Sequence, residues 1–314
     1  MIHLVVTLGD PTSIGPEVAS KALSSFLRKH RDAEVTAIGA LGKENARSSA
    51  RLDTLIRRHK FNWVDLSPLQ TPTRGRRSAA IALEALRRAT DICLEGDADA
   101  LVTGPLDKNL CSKVEPHFRG HTEYLQERCR VKGTTMMLAG KDLRVCLVTT
   151  HLAHRDVSKF LTTKKIVSSG QRTYGFIRRL KRKPIIAVCA LNPHASDGGL
   201  FGDEEKRIIQ PAVRTLQKEF GKDSIVGPYP ADTLFALSKN YDAILCMYHD
   251  QGLIPLKMKH FYDGVNITIG LPFLRTSVDH GTAFDIAGKE RASSQSFESA
   301  LDYAYLWVKS KKKA

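Results

Sequence analysis

Runs of β-branched and apolar residues alternate with stretches of helical period along nearly the whole chain, and this alternation limits the available folds more than any other feature. Ile2 to Leu8, Ala33 to Gly39, Ala98 to Thr103, Thr135 to Leu138, Arg144 to Thr150, Ile185 to Leu191, Ala243 to Met247 and Val265 to Ile269 read as strands. Pro16 to His30, Ala79 to Glu95, Thr122 to Arg130, Thr162 to Lys181, Asp203 to Phe220, Asp232 to Lys239 and Ser296 to Lys309 read as helices. This order predicts an α/β fold with a mainly parallel sheet flanked by helices. At 314 residues the chain can bury one large core or two medium ones. No internal repeat or low-complexity linker marks a boundary, so any division into domains must come from strand topology.

Three of the predicted strands run into a histidine within a residue or two of Thr, Pro or Tyr: His151, His194 and His249. A strand followed by a short polar turn aims its side chains at the rim of a sheet, where open α/β folds place ligands. Three imidazoles converging there would form a metal site with an open position. Each histidine taken alone reads more readily as a hydrogen-bonded loop residue; it is the repetition of one context that points to a shared ion.

No stretch of eighteen apolar residues occurs, and a strand begins at once after Met1, so neither a membrane span nor a signal peptide is expected. Cys93, Cys111, Cys129, Cys146, Cys189 and Cys246 are scattered without any Cys-x-x-Cys pair. They read as reduced core thiols of a cytoplasmic protein. The net charge of +15 raises the question of nucleic acid. Its basic residues fall in short clusters (57–60, 74–77, 178–183 and the tail 309–313) without interleaved aromatics or a groove-reading motif. They predict a generally basic surface or attraction for phosphorylated metabolites, with neither nucleic acid nor membrane as partner.

Several turns carry residues capable of chemistry. The loop from Thr7 to Glu17 joins the first strand to a helix whose start Pro16 and Glu17 favour, but it is neither a dinucleotide fingerprint nor a Walker loop. Val102-Thr103-Gly104-Pro105, with Lys108, is a second strand end. His121 and Thr122 open a predicted helix, where backbone donors and a hydroxyl suit an anion, although an ordinary N-cap explains them as well. Tyr248 to Lys289 is the densest segment. In it Lys257, Asn266 and Arg275 recur every nine residues near element ends, where they could face one cavity and match a phosphate or carboxylate. Surface salt bridging is the plainer alternative.

Taken together, these motifs resemble the 4-hydroxythreonine-4-phosphate dehydrogenase family nearly end to end. The resemblance rests on Gly9-Asp10-Pro11 with Ile14-Gly15-Pro16-Glu17, on Gly120-His121-Thr122-Glu123 and on Thr149-Thr150-His151-Leu152. Leu191-Asn192-Pro193-His194-Ala195, Tyr248-His249-Asp250-Gln251-Gly252 and the run Gly264 to Gly281 extend it. It implies that His151, His194 and His249 ligate a divalent metal (Zn, Co or Mg) shared between two subunits of a homodimer. It also implies that His121, Thr122, Lys257, Asn266 and Arg275 bind substrate, with Lys257 a candidate for proton transfer.

The family groups with isocitrate and isopropylmalate dehydrogenases, which bind their nicotinamide cofactor without the usual glycine triplet. Their cofactor loop resembles His280 to Gly288 here, so His280, Gly281, Thr282, Ala283 and Asp285 would hold NAD or NADP. The implied fold is a two-domain α/β/α sandwich with an active-site cleft between the domains. Residues 1–120 plus 265–314 would form a discontinuous cofactor-side domain, and residues 121–264 a central metal, substrate and dimerisation domain.

The implied reaction oxidises 4-phosphooxy-L-threonine to 2-amino-3-oxo-4-phosphooxybutanoate, which decarboxylates to 3-amino-2-oxopropyl phosphate in pyridoxal 5′-phosphate biosynthesis. Departures from the family pattern occur at Leu8, at Thr12-Ser13, at Ala195 to Gly199 and at Leu106-Asp107-Lys108. They leave room for a paralogue oxidising another phosphorylated four-carbon hydroxy acid, D-threonate or D-erythronate 4-phosphate. A non-catalytic metabolite binder would be stabilised by ligand without producing NADH. A nucleic-acid binder would show steeply salt-dependent affinity.

Overall fold

A computed structural model describes residues 1–42, 45–68 and 73–313. By internal contacts the chain divides into two compact units, Met1–Lys132 with Leu271–Ala314, and Gly133–Gly270.

The first unit begins β1 (Ile2–Thr7), α1 (Gly15–Lys29), β2 (Ala33–Gly39), α2 (Ala46–Arg58), β3 (Phe61–Asp65), α3 (Arg76–Glu95), β4 (Ala100–Thr103), α4 (Lys108–Ser112) and α5 (His121–Arg128). The second unit contains β5 (Thr135–Ala139), β6 (Arg144–Leu147), α6 (Val157–Phe160), α7 (Thr163–Ile177), β7 (Ile186–Cys189), α8 (Gln210–Phe220), β8 (Ile225–Tyr229), α9 (Ala231–Ala236), β9 (Ala243–Cys246), α10 (His249–Lys259) and β10 (Val265–Ile269). The chain then returns to the first unit as β11 (Leu274–Ser277) and α11 (Gln295–Lys313).

In the first unit β3, β2, β1, β4 and β11 pair side by side, all parallel. Parallel strands need crossover helices that cover both faces, which is why β1 and β4 are almost wholly buried and read as continuous apolar runs. α3 lays Ile81, Leu83, Leu86 and Ala89 against Val5, Ile38 and Leu101. α11 packs on β1, β4, β11 and α1, burying Phe297, Leu301, Tyr305 and Trp307. Each such side chain contributes about 1.5–3 kcal/mol. The strand order reverses between β1 and β4, so the loops after these strands lie where open α/β sheets hold ligands.

Those loops are wedged together. Gly9 has φ +80°, and a Cβ there would stand 2.0 Å from the Pro105 carbonyl, so only glycine fits. Asp10 is buried and structural: its carboxylate accepts from the Thr12 amide (2.8 Å), the Thr12 hydroxyl (2.7 Å) and Ser78 Oγ (3.0 Å). Ser13, one of the departures from the family pattern, closes the loop by donating to the Asp10 carbonyl and accepting from the Gly15 amide.

The second unit carries a mixed sheet. β10, β5 and β6 pair antiparallel, and β6, β9, β7 and β8 continue in parallel. α7 and α8 approach closely because Gly170 leaves room for Leu216, whose Cδ1 would lie 2.5 Å from a Cβ at that position. α10 settles on β6 and β9 through Leu253 and Leu256, and Gly252 lets it come within contact of Cys246, Leu147 and Val145.

Seven elements go beyond the sequence reading: α2, β3, α4, α6, β8, α10 and β11. α10 starts at His249 itself. It escaped notice because Ile254 and Met258 are exposed opposite buried Leu253 and Leu256, leaving no polar face to set a period.

Candidate active site

In the first unit the candidate residues gather at the carboxyl ends of parallel strands. Parallel pairing of β11 with β4 sets Arg275 opposite Leu101 and Ser277 opposite Thr103, joining segments far apart in sequence. Arg275 is 3% exposed, and its Nε and NH2 donate to Thr103 Oγ1 at 3.1 and 2.7 Å. Burial lowers its guanidinium pKa to about 9, opposed by the Glu123 carboxylate, so the cation persists at neutral pH.

α5 begins at His121 after Gly120, with no side chain capping its first amides. A Cβ on Gly120 would lie 3.0 Å from Glu123 Oε2 and 3.8 Å from Lys108 Nζ, so Lys108 and Glu123 both crowd this turn. His121 keeps part of its surface open, yet burial, then the Arg275 and Lys108 cations, push its pKa well below the ordinary histidine value. The imidazole is therefore neutral beside two cations and a helix N-terminus. That combination suits a phosphate oxyanion, which takes charge from Arg275 and Lys108 and neutral donors from His121 and Thr122. Sequence reasoning noted Lys108 as a strand-end residue without joining it to His121; that pairing requires the turn at Gly120.

The segment after β11 holds the proposed cofactor residues. His280 Nδ1 lies 3.0 Å from the Gly281 carbonyl, whereas the buried Nε2 meets no hydrogen-bond partner among the described residues. Ala283 adopts φ +39° and Gly288 φ +72°, and a Cβ on Gly281 would meet open space. The Ile14 amide donates to the Thr282 carbonyl (3.0 Å), tying this loop to the one after β1. Arg74 stacks on Phe284, next to Asp285, 4.1 Å from the ring centre.

In the second unit, hydrogen bonds from the Val148 and Thr149 amides to the Cys246 and Met247 carbonyls prolong the β6–β9 pairing. The His151 and His249 rings are thereby brought to a centroid separation of 5.7 Å, inclined at 45°. His249 Nδ1 lies 2.6 Å from Asp250 Oδ1, so the carboxylate engages that ring nitrogen.

His194 opens a left-handed turn: residues 194–198 all have positive φ, from 43° to 72°. Four of these five carry a side chain, and each costs about 1–2 kcal/mol in that region. The turn is held from outside. Buried Glu205, on a π-helical turn ahead of α8, accepts from the Leu191 and Asn192 amides at 2.8 Å each and from Asn192 Nδ2 at 2.9 Å. Gln251 clamps the two neighbouring strand ends, accepting from the Met247 amide (2.7 Å) and donating to the Ala190 carbonyl (2.6 Å). Next to His194 lies a cavity of about 600 Å³ lined by Asn192, Glu204, Asp232, Tyr248 and Gln251. Among the described residues no three His, Cys, Asp or Glu side chains of one chain gather as a metal-binding group. The His151 and His249 rings meet each other, and the His194 ring lies 6.2 Å from that of Phe201, centre to centre.

Lys257 is half-buried on α10, its Nζ 5.9 Å from the Phe261 ring centre. Asn266, on β10 opposite Leu138, keeps Oδ1 buried with no hydrogen-bond partner among the described residues. Glu205 and Gln251, which position the histidines, were missed as functional residues; Gln251 sat inside a quoted motif, but its two backbone partners are set by folding alone.

The sequence matches the family described as "Pyridoxal phosphate biosynthetic protein PdxA" over residues 4–304. It is 43% identical over 319 residues to 4-hydroxythreonine-4-phosphate dehydrogenase of Geobacter metallireducens, covering 95% of this chain and 93% of that protein. A Bradyrhizobium diazoefficiens protein provisionally named D-threonate 4-phosphate dehydrogenase is 38% identical, over 96% of this chain and 95% of its own length. The crystal structure of the Klebsiella pneumoniae 4-hydroxythreonine-4-phosphate dehydrogenase superposes with a TM-score of 0.84 at 34% identity, covering 98% of this chain and 100% of that one. Isocitrate dehydrogenase of Methylococcus capsulatus, at 14% identity and a TM-score of 0.51, shares the fold over 98% of this chain and 85% of its own.

Proposed function

The chain belongs to the PdxA family of pyridoxal phosphate biosynthetic proteins, and from that premise we propose that it is a metal- and NAD(P)-dependent 4-hydroxythreonine-4-phosphate dehydrogenase. Its substrate on this reading is 4-phosphooxy-L-threonine, oxidised at C3 and then decarboxylated to 3-amino-2-oxopropyl phosphate.

The observation that carries the reading is the His151–His249 pair. Two imidazoles sharing an ion about 2.1 Å from each nitrogen stand with ring centres about 5–6 Å apart, and the observed 5.7 Å fits. His151, His194 and His249 would hold the ion, with Zn or Co favoured over Mg by nitrogen ligation. Bound there, it supplies Lewis acidity toward the substrate hydroxyl and carboxylate, and the nicotinamide supplies the hydride acceptor. His280, Gly281, Thr282, Ala283 and Asp285 would hold that cofactor; the orphaned His280 Nε2 and the open space over Gly281 fit a bound group.

The protein's own side chains do the rest. Arg275 and Lys108 balance the phosphate charge while neutral His121 and the Thr122 hydroxyl donate hydrogen bonds without adding to it. Lys257 exchanges the proton of the substrate hydroxyl, and Asn266 offers its orphaned Oδ1 to a substrate donor. Asp250 fixes the His249 ring, and Glu205 holds the turn that presents His194.

No three His, Cys, Asp or Glu side chains gather as a metal-binding group among the described residues of one chain, so on this reading the metal set is completed by a second copy of the chain. An exposed apolar patch in the second unit supports a homodimer: Ile254, Met258, Phe261 and Tyr262 are 58%, 83%, 64% and 65% exposed. All six cysteines are free and five are buried, which supports a reducing, cytoplasmic setting. No helix among the described residues is long and apolar enough to cross a membrane.

The Bradyrhizobium relative favours one second reading, a D-threonate or D-erythronate 4-phosphate dehydrogenase. A panel of the three phosphorylated acids assayed by NADH or NADPH absorbance, with and without chelator, tests both. The primary reading expects fastest, chelator-sensitive reduction with 4-phosphooxy-L-threonine. Faster reduction with D-threonate or D-erythronate 4-phosphate establishes the second reading, and chelator-insensitive turnover refutes the metal assignment.

A further inference from the structure

The last turns of α1 and α2 and the entry to β3 border a cavity of about 800 Å³, open to the surface and lined by Arg28, Arg31, Arg57, Arg58, His59 and Lys60, with Ala33 beside them. Among the described residues no carboxylate pairs with its four arginines or its lysine. Other basic residues of the same two helices, and the residue that caps one of them, are paired: Lys29 and His30 meet Asp302 at 2.6 and 2.8 Å, and Arg51 meets Glu290 at 2.5 Å. The fold therefore neutralises cations around the cavity and leaves those lining it uncompensated. Helix C-termini favour positive charge, which accounts for basic residues on each helix, but not for two helix ends converging on one concave space without a counter-ion.

Its place separates it from the site described above. Arg28, Arg31, Arg57 and Arg58 lie at the amino-terminal edge of the parallel strands, whereas Thr103 ends β4 and His280 follows the carboxyl end of β11. A strand of this length, at about 3.3 Å per residue, puts the two edges on the order of 20 Å apart.

We propose that this cavity binds a small, multiply charged oligophosphate, either free or as the tail of a nucleotide. Its volume falls within the range of small-molecule sites, about 300–1,000 Å³. Four guanidinium forks are the groups best suited to phosphate oxygens. Among the described residues no Phe, Tyr or Trp lines the walls and His59 is the one ring there, so the cavity offers no platform for stacking successive bases, and a nucleic-acid strand is disfavoured.

Calorimetric titration of the full-length protein with inorganic tripolyphosphate tests this, with ATP as a second arm. One tripolyphosphate should bind per chain. Arg57→Gln/Arg58→Gln should weaken it at least about tenfold while substrate turnover stays unchanged, and Arg275→Gln should leave it intact. Equal affinity for ATP assigns recognition to the phosphate chain alone, and tighter ATP assigns it to a nucleotide; either supports the site. Absence of saturable binding, binding lost in Arg275→Gln but kept in the double variant, or displacement by a single-stranded oligonucleotide with a steep salt dependence would overturn it.

Discussion

The two units solve the same problem, holding charge at the end of a sheet, in opposite ways. In the first, Arg275 is buried against Thr103, and His121 is kept neutral by burial and by its cationic neighbours, all within one chain. In the second, His151, His194 and His249 lie at or near the surface, two together and one on a strained left-handed turn. On the proposed function, the first arrangement would give binding before the reaction begins, whereas the second would tie chemistry to assembly.

The comparison predicts its largest effect at the histidines. His249→Ala should lower kcat by about a thousandfold or more, the loss of several kcal/mol of Lewis-acid stabilisation, with bound metal lost and the melting temperature little changed. Retention of metal and turnover would show that the exposed half-site is ordinary surface.

Arg275→Gln comes next. Removing one charge-assisted hydrogen bond of about 1.5–3 kcal/mol should cost roughly 10–100-fold in kcat/KM, mostly as a raised KM. A fall in kcat at constant KM would move Arg275 from phosphate binding to the reacting centre.

A smaller effect concerns pH. A histidine with a depressed folded pKa stays neutral in the fold while the unfolded chain takes up a proton below about pH 6.5. The unfolded state then binds more protons, so the His121 contribution is lost as pH falls from the ordinary histidine range toward the lowered folded value. Urea unfolding of the wild type against His121→Gln should show the wild type losing up to about 1.4 kcal/mol more per pH unit below that point. Parallel acid limbs would mean that His121 titrates freely.

The smallest effect belongs to the turn. Ala195 has φ +53°, and Ala195→Gly should stabilise the protein by up to about 1 kcal/mol by relieving left-handed strain. Destabilisation would argue that the turn is not strained.

The legible part of this molecule was its period. Continuous apolar runs such as Ile2 to Leu8 announce strands buried on both faces, and helices with one polar side announce themselves equally well. β8 was obscured by the Gly227-Pro228 pair inside it, and α10 by apolar residues on its exposed as well as its buried side and by Pro255 within it. At the candidate site, residue types and strand-end placement were readable for His151, His194 and His249 because each follows a buried strand. Contacts made across the sequence were not. Arg275 reaches Thr103 only through the β4–β11 register, Gln251 reaches Ala190 only when β7 and β9 pair, and a left-handed run through Ala195, Ser196 and Asp197 has no signature in residues that avoid that conformation.

Subunit complementation tests the central claim, that the metal centre is assembled from two copies, most directly. His151→Ala and His194→Ala should each be inactive alone. Dissociated, mixed and reassociated, they should form heterodimers with one intact site, restoring about a quarter of wild-type NADH production on statistical pairing. A mixture that exchanges subunits yet stays as inactive as either variant would contradict it.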